Sequence, residues 1–448
     1  MSESDDAIRA ALEAVLPAVR ADLEKLVRIP SVSAEPGAHE RLANCAAEVA
    51  AMFRAAGVPN ARMVRADSGL PAVVGTRPGP PDAPTVLLYA HHDVQPPGDR
   101  RGWTSDPFEP REHAGRLYGR GAADDKAGIA VHLAALRAYG DSLPVGIAVL
   151  VEGEEEIGSP TLGALLDTHN SELRCDVVLL PDSTNWTVDV PALTTSLRGG
   201  ANVVVEVRTL RHAVHSGVYG GAIPDALTAL CRLVATLHDA AGNVVVGGLS
   251  HDVGIAPELS EERLRDEAGV LDGVQLIGTG LLTDRLWTRP AIAVIGIDAP
   301  SVRDGSNTLI PVARAKLSMR IAPNDDPISA REALAAHLEA HAPWGVQVTV
   351  EPGGSVAPYT ALTDGPVFAA ARRAFARAWG TPPVEIGVGG SISFVTALRA
   401  RQPEAHVVIT GVEDPNSRAH GTDESLDLGT FRRSCLAETL LLTLLGET

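Results

Sequence analysis

The 448-residue chain has few cysteines, and they lie far apart in the sequence. Cys45, Cys175, Cys231 and Cys435 form no CxxC pair, which argues against a disulfide framework and against a structural zinc knuckle. Hydrophobic residues make up 45% of the chain and charged residues 21%, which is ordinary for a globular protein. We therefore expect reduced cysteines and a fold that is stabilised by buried apolar side chains.

Clusters of basic residues and long apolar runs are also absent from the sequence. The formal net charge of −18 argues against binding to nucleic acid or to anionic membrane surfaces. No run approaches the roughly 18–20 apolar residues of a membrane span. The first residues are acidic and are followed by apolar residues at helical spacing, which is not the pattern of a signal peptide. We expect a cytoplasmic protein without nucleic-acid or membrane partners.

Four apolar, strand-like runs in the sequence are each followed by side chains that can bind a metal ion. The runs are Thr85–Ala90, Val145–Val151, Asp176–Leu180 and His406–Thr410. The side chains that follow them are His91 and Asp93, Glu155 and Glu156, Asp182, and His420. Because ligands of open α/β sheets gather at the carboxyl ends of the strands, we expect these side chains to meet at one sheet edge. The pattern predicts the metal site of an enzyme.

The order of helical and strand-like segments predicts an α/β fold with two domains. Helical patterns over about 39–56, 126–139 and 160–168 alternate with strands, as expected for a mainly parallel sheet flanked by helices. From about residue 198 the order becomes β-α-β-β-α-β, with a Gly-rich and acidic insertion over 241–287. We expect a discontinuous catalytic domain, 1–195 and 356–448, and an inserted ferredoxin-like domain, 196–355.

Seven short strings of the sequence resemble motifs of the M20 metallopeptidases, and most closely those of the dipeptidase branch. They are YAHHDV (89–94), GRGAADDKAG (119–128), EGEEEIGS (152–159), PD (181–182), HSGVYGG (215–221), GGSI (389–392) and SRAHG (417–421). Each string alone is a weak signal, but their occurrence in one order is specific. The resemblance implies a catalytic domain with two zinc ions and an inserted lid domain that also mediates dimerisation.

The predicted metal ligands are two histidines and three carboxylates. Two neighbouring divalent ions need a bridging carboxylate, and Asp124, on a Gly-rich turn before a helix, is the predicted bridge. The resemblance implies His91 and Asp182 as ligands of one ion, and Glu156 and His420 as ligands of the other. Zinc and manganese both accept this mixture of carboxylate and imidazole, and zinc is the metal that the family favours.

The charge of this cluster makes metal binding depend on pH. Together with the unligated Asp93 and Glu155, two divalent ions and three ligand carboxylates carry a net charge of about −1. Without metal, five crowded carboxylates would hold protons through like-charge repulsion. We therefore expect metal affinity to fall at acid pH.

Three further residues are predicted to act in catalysis. In the matching motif Glu155 points at a water that bridges the metal ions, so it is the predicted general base. Asp93 lies two residues after His91 on the same side of an extended segment and is predicted to hydrogen-bond His91 and fix its tautomer. His215 resembles the histidine that polarises the substrate carbonyl from the partner subunit, so it is the predicted oxyanion donor.

The resemblance also implies residues that bind the substrate. Arg320 matches the position whose guanidinium binds a substrate carboxylate, a bidentate contact that lysine makes poorly. Weaker candidates for binding the same end of the peptide are Asn307, Thr308, Gly390 and Ser391. The last loop reads GVGGSIS over 387–393, where the family pattern is REGGSIP, so the charged pair and the proline are missing. This departure leaves the preferred dipeptide open.

These residues predict a two-metal hydrolase that forms a homodimer and cleaves dipeptides or short peptides with a free C-terminal carboxylate. An N-acyl amino-acid deacylase or a carboxypeptidase would share every predicted metal residue, so both stay open as alternatives. A non-catalytic ligand-binding module is the alternative from another class. The presence of Glu155 together with the full ligand set argues against it.

Overall fold

The computed structural model describes residues 3–66, 68–251 and 257–447. Its helices are α1 (Glu3–Val27), α2 (His39–Ala55), α3 (Lys126–Tyr139), α4 (Leu162–Thr168), α5 (Ser216–Tyr219), α6 (Ala226–Ala235), α7 (Glu261–Ala268), α8 (Leu282–Trp287), α9 (Pro327–Ala340), α10 (Pro366–Trp379), α11 (Ser393–Arg399) and α12 (Leu428–Gly446). Its strands are β1 (Arg62–Val64), β2 (Ala72–Arg77), β3 (Thr85–His91), β4 (Arg111–His113), β5 (Arg116–Tyr118), β6 (Gly146–Glu152), β7 (Val177–Thr184), β8 (Ala192–Leu197), β9 (Gly199–Arg208), β10 (Val214–His215), β11 (Ala291–Asp298), β12 (Thr308–Leu309), β13 (Val312–Ile321), β14 (Gln347–Val356), β15 (Tyr359–Thr360), β16 (Val384–Val388), β17 (His406–Glu413) and β18 (Ser425–Asp427).

The chain divides into two compact units. The first unit comprises the described residues of 1–195, 361–386 and 392–448, and the second comprises those of 196–360 and 387–391. The first unit contains a mixed sheet with the strand order β1-β2-β6-β3-β7-β17-β8. Strands β6, β3, β7 and β17 run parallel to one another, whereas the outer pairs are antiparallel. The predicted α/β class with parallel central strands is thus confirmed.

Helix α3 lies at the centre of the first unit, and its sequence explains its position. It is rich in alanine, and its residues from Lys126 to Leu136 are all buried, with α1 and α12 packed against it. Asp125 caps the helix by accepting a hydrogen bond from the backbone N–H of Gly128 at 3.2 Å. The cap fixes the start of α3 immediately after Asp124.

All four central strands extend beyond their predicted ends, β3 and β6 by one residue each and β7 and β17 by more. β7 continues through Asp182 to Thr184, so Asp182 lies within the strand and not after it. β17 continues beyond Thr410 to Glu413, which brings an additional carboxylate to the carboxyl end of the sheet.

The second unit contains a four-stranded antiparallel sheet with the strand order β11-β13-β9-β14. Buried and partly exposed residues alternate along β9, as expected for a strand with one face against a core. Helices α6 and α9 pack on this sheet and contribute the buried Leu230, Leu233, Leu334 and Leu338. Five of the residues in the predicted insertion over 241–287, namely 252–256, lie outside the described residues.

None of the helices in the described part of the chain combines the length and the apolar character that a membrane span requires.

Candidate metal centre

The carboxyl ends of β3 and β7 bring three of the predicted ligands together. His91 is the last residue of β3, and its Nε2 lies 3.1 Å from Oδ1 of Asp124 and 3.9 Å from Oδ2 of Asp182. One donor atom from each of these residues lies within 4.8 Å of the other two. His91 is almost completely buried, while Asp124 and Asp182 keep a small exposed fraction. The three side chains form a compact and mostly buried group.

A second group shares Asp124 with the first. Nε2 of His420 lies 3.1 Å from Oδ2 of Asp124 and 3.2 Å from Oε2 of Glu156. Donor atoms of these three residues again lie within 4.8 Å of one another. The two oxygens of Asp124 therefore face different histidines, which is the arrangement that a bridging carboxylate requires.

Asp93 is positioned differently from the prediction. Nδ1 of His91 lies 3.0 Å from the backbone oxygen of Asp93 and 3.6 Å from its carboxylate. The Asp93 carboxylate instead accepts hydrogen bonds from the backbone N–H groups of Glu155 at 3.2 Å and Glu156 at 3.1 Å. The ring of His91 therefore faces the backbone oxygen of Asp93 and not its carboxylate. The carboxylate of Asp93 instead holds the turn that carries Glu155 and Glu156.

Glu155 and Glu156 are adjacent, but their side chains have different surroundings. The carboxylate of Glu156 accepts hydrogen bonds from the backbone N–H of Gln95 at 3.0 Å and from its side-chain amide at 2.7 Å. Glu155 is partly buried, and its carboxylate belongs to neither group of donor atoms. Burial, followed by the charges of Asp182 and Glu152, raises the pKa of Glu155 well above its usual value.

Glu424, which the sequence reading did not identify, connects the segments that carry Asp124 and His420. Its buried carboxylate accepts hydrogen bonds from the backbone N–H groups of Gly121, Ala123 and Asp124 at 3.0–3.2 Å. Nη1 of Arg120 donates to the same carboxylate at 2.6 Å. These contacts fix the Gly-rich turn against the loop that carries His420. No sequence pattern could reveal them, because the partners are about 300 positions apart.

The donor set fits two divalent metal ions. Imidazole nitrogens and carboxylate oxygens are ligands that zinc and manganese accept. Because Nδ1 of His91 faces the Asp93 backbone oxygen, Nε2 of His91 is the nitrogen directed at Asp124. Without metal, hydrogen bonding to Asp124 and Glu156 raises the pKa of His420 to about 11. Burial alone would lower the pKa of His91, but Asp124 and Asp182 raise it well above its usual value.

These shifts predict that metal binding releases protons. A histidine whose pKa is raised is protonated at neutral pH, and it must lose that proton to become a ligand. We expect the release of at least two protons when the metal-free protein binds zinc at pH 7, from His91 and His420 and from the Asp182 carboxyl group, whose pKa burial and neighbouring carboxylates raise well above its usual value. Isothermal titration calorimetry in buffers of different ionisation enthalpy measures this number. A binding enthalpy that does not depend on the buffer would contradict the assignment of both histidines as ligands.

The second unit brings together three of the residues predicted to contact the substrate. β10 pairs with β12, which places His215 opposite Thr308. The backbone N–H of Ser216 donates to the backbone oxygen of Asn307 at 2.9 Å. His215 is exposed, and its Nδ1 accepts a hydrogen bond from the backbone N–H of Gly217 at 3.0 Å. The hydrogen of the neutral ring therefore lies on Nε2, which is free to donate.

The other predicted substrate residues form a separate group within the second unit. Nη1 of Arg320 donates to Oγ of Ser391 at 3.1 Å, and Oγ of Ser391 donates to the backbone oxygen of Arg198. Gly390, the neighbour of Ser391, is partly exposed. The buried Arg198, which the sequence reading did not identify, donates to the backbone oxygen of Gly389 at 3.3 Å and so supports this loop.

Comparison with known protein families identifies the chain. The family model described as peptidase family M20/M25/M40 matches residues 87–442, which is most of the chain. The chain belongs to this peptidase family. The predicted resemblance to M20 metallopeptidases, and the prediction of an enzyme of this class, are thereby confirmed.

Individual M20 relatives agree with the dipeptidase branch. The cysteinylglycine-S-conjugate dipeptidase of Corynebacterium striatum is 37% identical over 382 residues, covering 84% of each protein. The Beta-Ala-His dipeptidase of Rattus norvegicus is 31% identical over 345 residues, covering 72% of this chain and 69% of the relative. A solved structure of the dipeptidase Dug1p of Saccharomyces cerevisiae covers 100% of both chains with a TM-score of 0.85 at 22% identity, which shows that the fold is shared.

Proposed function

We propose that this M20 enzyme uses two divalent metal ions to hydrolyse dipeptides or short peptides with a free C-terminal carboxylate. The observation that carries the proposal is the pair of ligand groups that share Asp124. His91 and Asp182 would hold one ion, and Glu156 and His420 the other. Relatives named as dipeptidases support the substrate class. Zinc is the proposed metal, with manganese as the alternative.

The protein's own residues would carry the proton transfers. When bound, the two ions would lower the pKa of a shared water and stabilise the negative charge that develops on the substrate carbonyl. Glu155 would accept the proton of this water and later deliver a proton to the leaving amine. Asp93 supports both roles, because its carboxylate holds the backbone of Glu155 and Glu156 in place.

Residues of the second unit are proposed to bind the substrate. Nε2 of His215 would donate a hydrogen bond to the oxygen of the scissile carbonyl, because Nδ1 is already occupied by Gly217. Arg320 would bind the C-terminal carboxylate of the peptide, and Ser391 holds its guanidinium in place. Asn307, Thr308 and Gly390 would contact the same end of the substrate.

We further propose that the enzyme is a homodimer and that His215 acts on the metal centre of the partner subunit, with the inserted domain, 196–355, as the lid. Strand β11 is an edge of the sheet in the second unit, and it exposes Val294, Ile295 and Ile297. An exposed apolar edge strand is typical of a surface that pairs with another chain. The cytoplasmic location stays a prediction.

A substrate panel with metal removal tests the proposed function. We expect the purified enzyme to release free amino acids from dipeptides, to lose this activity after chelation, and to regain it with zinc or manganese. Hydrolysis of N-acetyl amino acids alone would indicate a deacylase. If the enzyme released C-terminal residues from longer peptides but did not cleave dipeptides, it would be a carboxypeptidase. If no hydrolysis of any of these substrates depended on metal, the ligand-binding alternative would be favoured.

A further inference from the structure

Glu413 brings an additional carboxylate to the edge of the sheet that carries the metal centre. It is the last residue of β17 and lies opposite Thr184 of β7, the strand that contains Asp182. Its backbone oxygen accepts hydrogen bonds from the backbone N–H of Asn185 at 2.9 Å and from the side-chain amide of Asn185 at 3.0 Å. The backbone of Glu413 is therefore fixed next to the predicted ligands, although Glu413 belongs to neither ligand group.

The Glu413 carboxylate lies near three other carboxylates. In the metal-free protein, burial and then the charges of Asp124, Asp182 and Glu424 raise the pKa of Glu413 well above its usual value. Among residues 3–66, 68–251 and 257–447, no side chain or N–H group forms a hydrogen bond or ion pair with this carboxylate.

Two arginines that contact carboxylates near Glu413 in the sequence are already paired. Arg116 binds Asp414 at 2.8 Å, and Arg120 binds Glu424 at 2.6 Å. Glu413 is nevertheless partly exposed, so a ligand can reach it. Within the described residues the Glu413 carboxylate therefore has no cationic partner, and a positively charged ligand could take that place.

The metal ions do not require this additional charge. The three ligand carboxylates, together with Asp93 and Glu155, already exceed the four positive charges of two divalent ions by about one. A further carboxylate makes the loaded site more negative and favours a cationic ligand. Under the proposed function, the substrate itself carries such a group, because a free peptide has an ammonium at its amino terminus.

We propose that Glu413 binds the free amino group of the substrate and thereby selects peptides with an unblocked amino terminus over N-acylated ones. This inference rests on the proposed function and deepens it. Acylation removes the positive charge of the amine, so an N-acylated substrate would leave the Glu413 carboxylate without a partner. Glu413 is thus the residue that separates a dipeptidase from a deacylase with the same metal ligands.

Binding measurements in a non-hydrolysing background test the proposal. The metal-loaded Glu155→Gln variant is titrated by calorimetry with S-methylcysteinylglycine and with its N-acetyl derivative. We expect the free dipeptide to bind roughly ten- to hundredfold more tightly, as for a hydrogen bond between charged groups. The added Glu413→Gln substitution should remove this preference and leave the affinity for the acetylated ligand unchanged. Glu413→Asp should restore part of it.

Metal content and a matched control variant distinguish amine binding by Glu413 from a role of Glu413 as a metal ligand. Glu385→Gln removes a half-buried carboxylate that contacts Arg372, so it should leave both affinities unchanged. Equal binding of the two ligands to Glu155→Gln, or a preference that survives Glu413→Gln, would overturn the proposal. Loss of a metal ion in Glu413→Gln, measured by mass spectrometry, would overturn it in favour of a ligand role. If the wild-type enzyme bound the free dipeptide selectively but did not hydrolyse it, the proposed function would fail while the role of Glu413 stood.

Discussion

Replacing Glu155 with glutamine should lower kcat for dipeptide hydrolysis by about a hundred- to ten-thousandfold, the range that a general base contributes. Glutamine keeps the size of the side chain but cannot accept a proton. KM should change little, because the Glu155 carboxylate is not among the proposed substrate contacts. Metal content should also stay at two ions per chain, because this carboxylate belongs to neither ligand group. Steady-state kinetics together with mass spectrometry of the metal content measure all three quantities.

The neighbouring glutamate provides the matched control. Glu156 contacts His420 at 3.2 Å, so Glu156→Gln should lose metal as well as activity. The two variants carry the same chemical change at adjacent positions and should differ in metal content alone. A Glu155→Gln variant that lost metal, or that kept the wild-type kcat, would show that Glu155 is not the general base.

Replacing Asp124 with asparagine should reduce hydrolysis by more than about a thousandfold, because both ions are needed for the chemistry. The oxygens of Asp124 lie 3.1 Å from Nε2 of His91 and 3.1 Å from Nε2 of His420. Asparagine offers one oxygen and no charge, so it cannot serve both ligand groups. We expect the metal content to fall below one ion per chain after dialysis against metal-free buffer.

Asp427→Asn is the control for this substitution. Asp427 caps α12, because its carboxylate accepts a hydrogen bond from the backbone N–H of Thr430 at 2.7 Å. Asparagine caps helices about as well as aspartate. This variant should keep its metal content, activity and melting temperature. An Asp124→Asn variant that retained two tightly bound ions would show that Asp124 does not bridge them.

Part of the metal centre could be predicted from the sequence for a physical reason. Buried parallel strands read as continuous apolar runs, and polar residues at their ends must lie at one edge of the sheet. The positions of His91 and Asp182 follow directly from this rule. The convergence of His420 depended on the family resemblance, because His420 lies in a loop seven residues beyond the end of β17.

Glu413 was missed because a glycine precedes it. Gly411 interrupts the apolar run after Thr410, and glycine in a strand pattern suggests the end of the strand. In the structure β17 continues past this point, with a shift in register at Gly411. A Cβ atom at Gly411 would lie 2.6 Å from the backbone of Thr184, so glycine is required there by the close approach of β7. The residue that suggested a break is the one that lets the strand continue.

The contacts that hold the ligands in place were not predictable from sequence patterns. Glu424 accepts a hydrogen bond from the backbone of Asp124, and the side chain of Gln95 donates one to Glu156. In both pairs the two residues are distant in the chain. The altered contact of Asp93 has a similar origin, because its carboxylate serves backbone N–H groups some 60 positions away. Such hydrogen bonds depend on how the loops pack and leave no periodic signal in the sequence.

The most direct test of the account is anomalous diffraction from crystals of the zinc-loaded enzyme, recorded on both sides of the zinc absorption edge. We predict two anomalous peaks about 3.5–4 Å apart, one on each side of the Asp124 carboxylate. One peak should lie beside His91 and Asp182, and the other beside Glu156 and His420. A single peak, or two peaks that do not flank Asp124, would contradict the account.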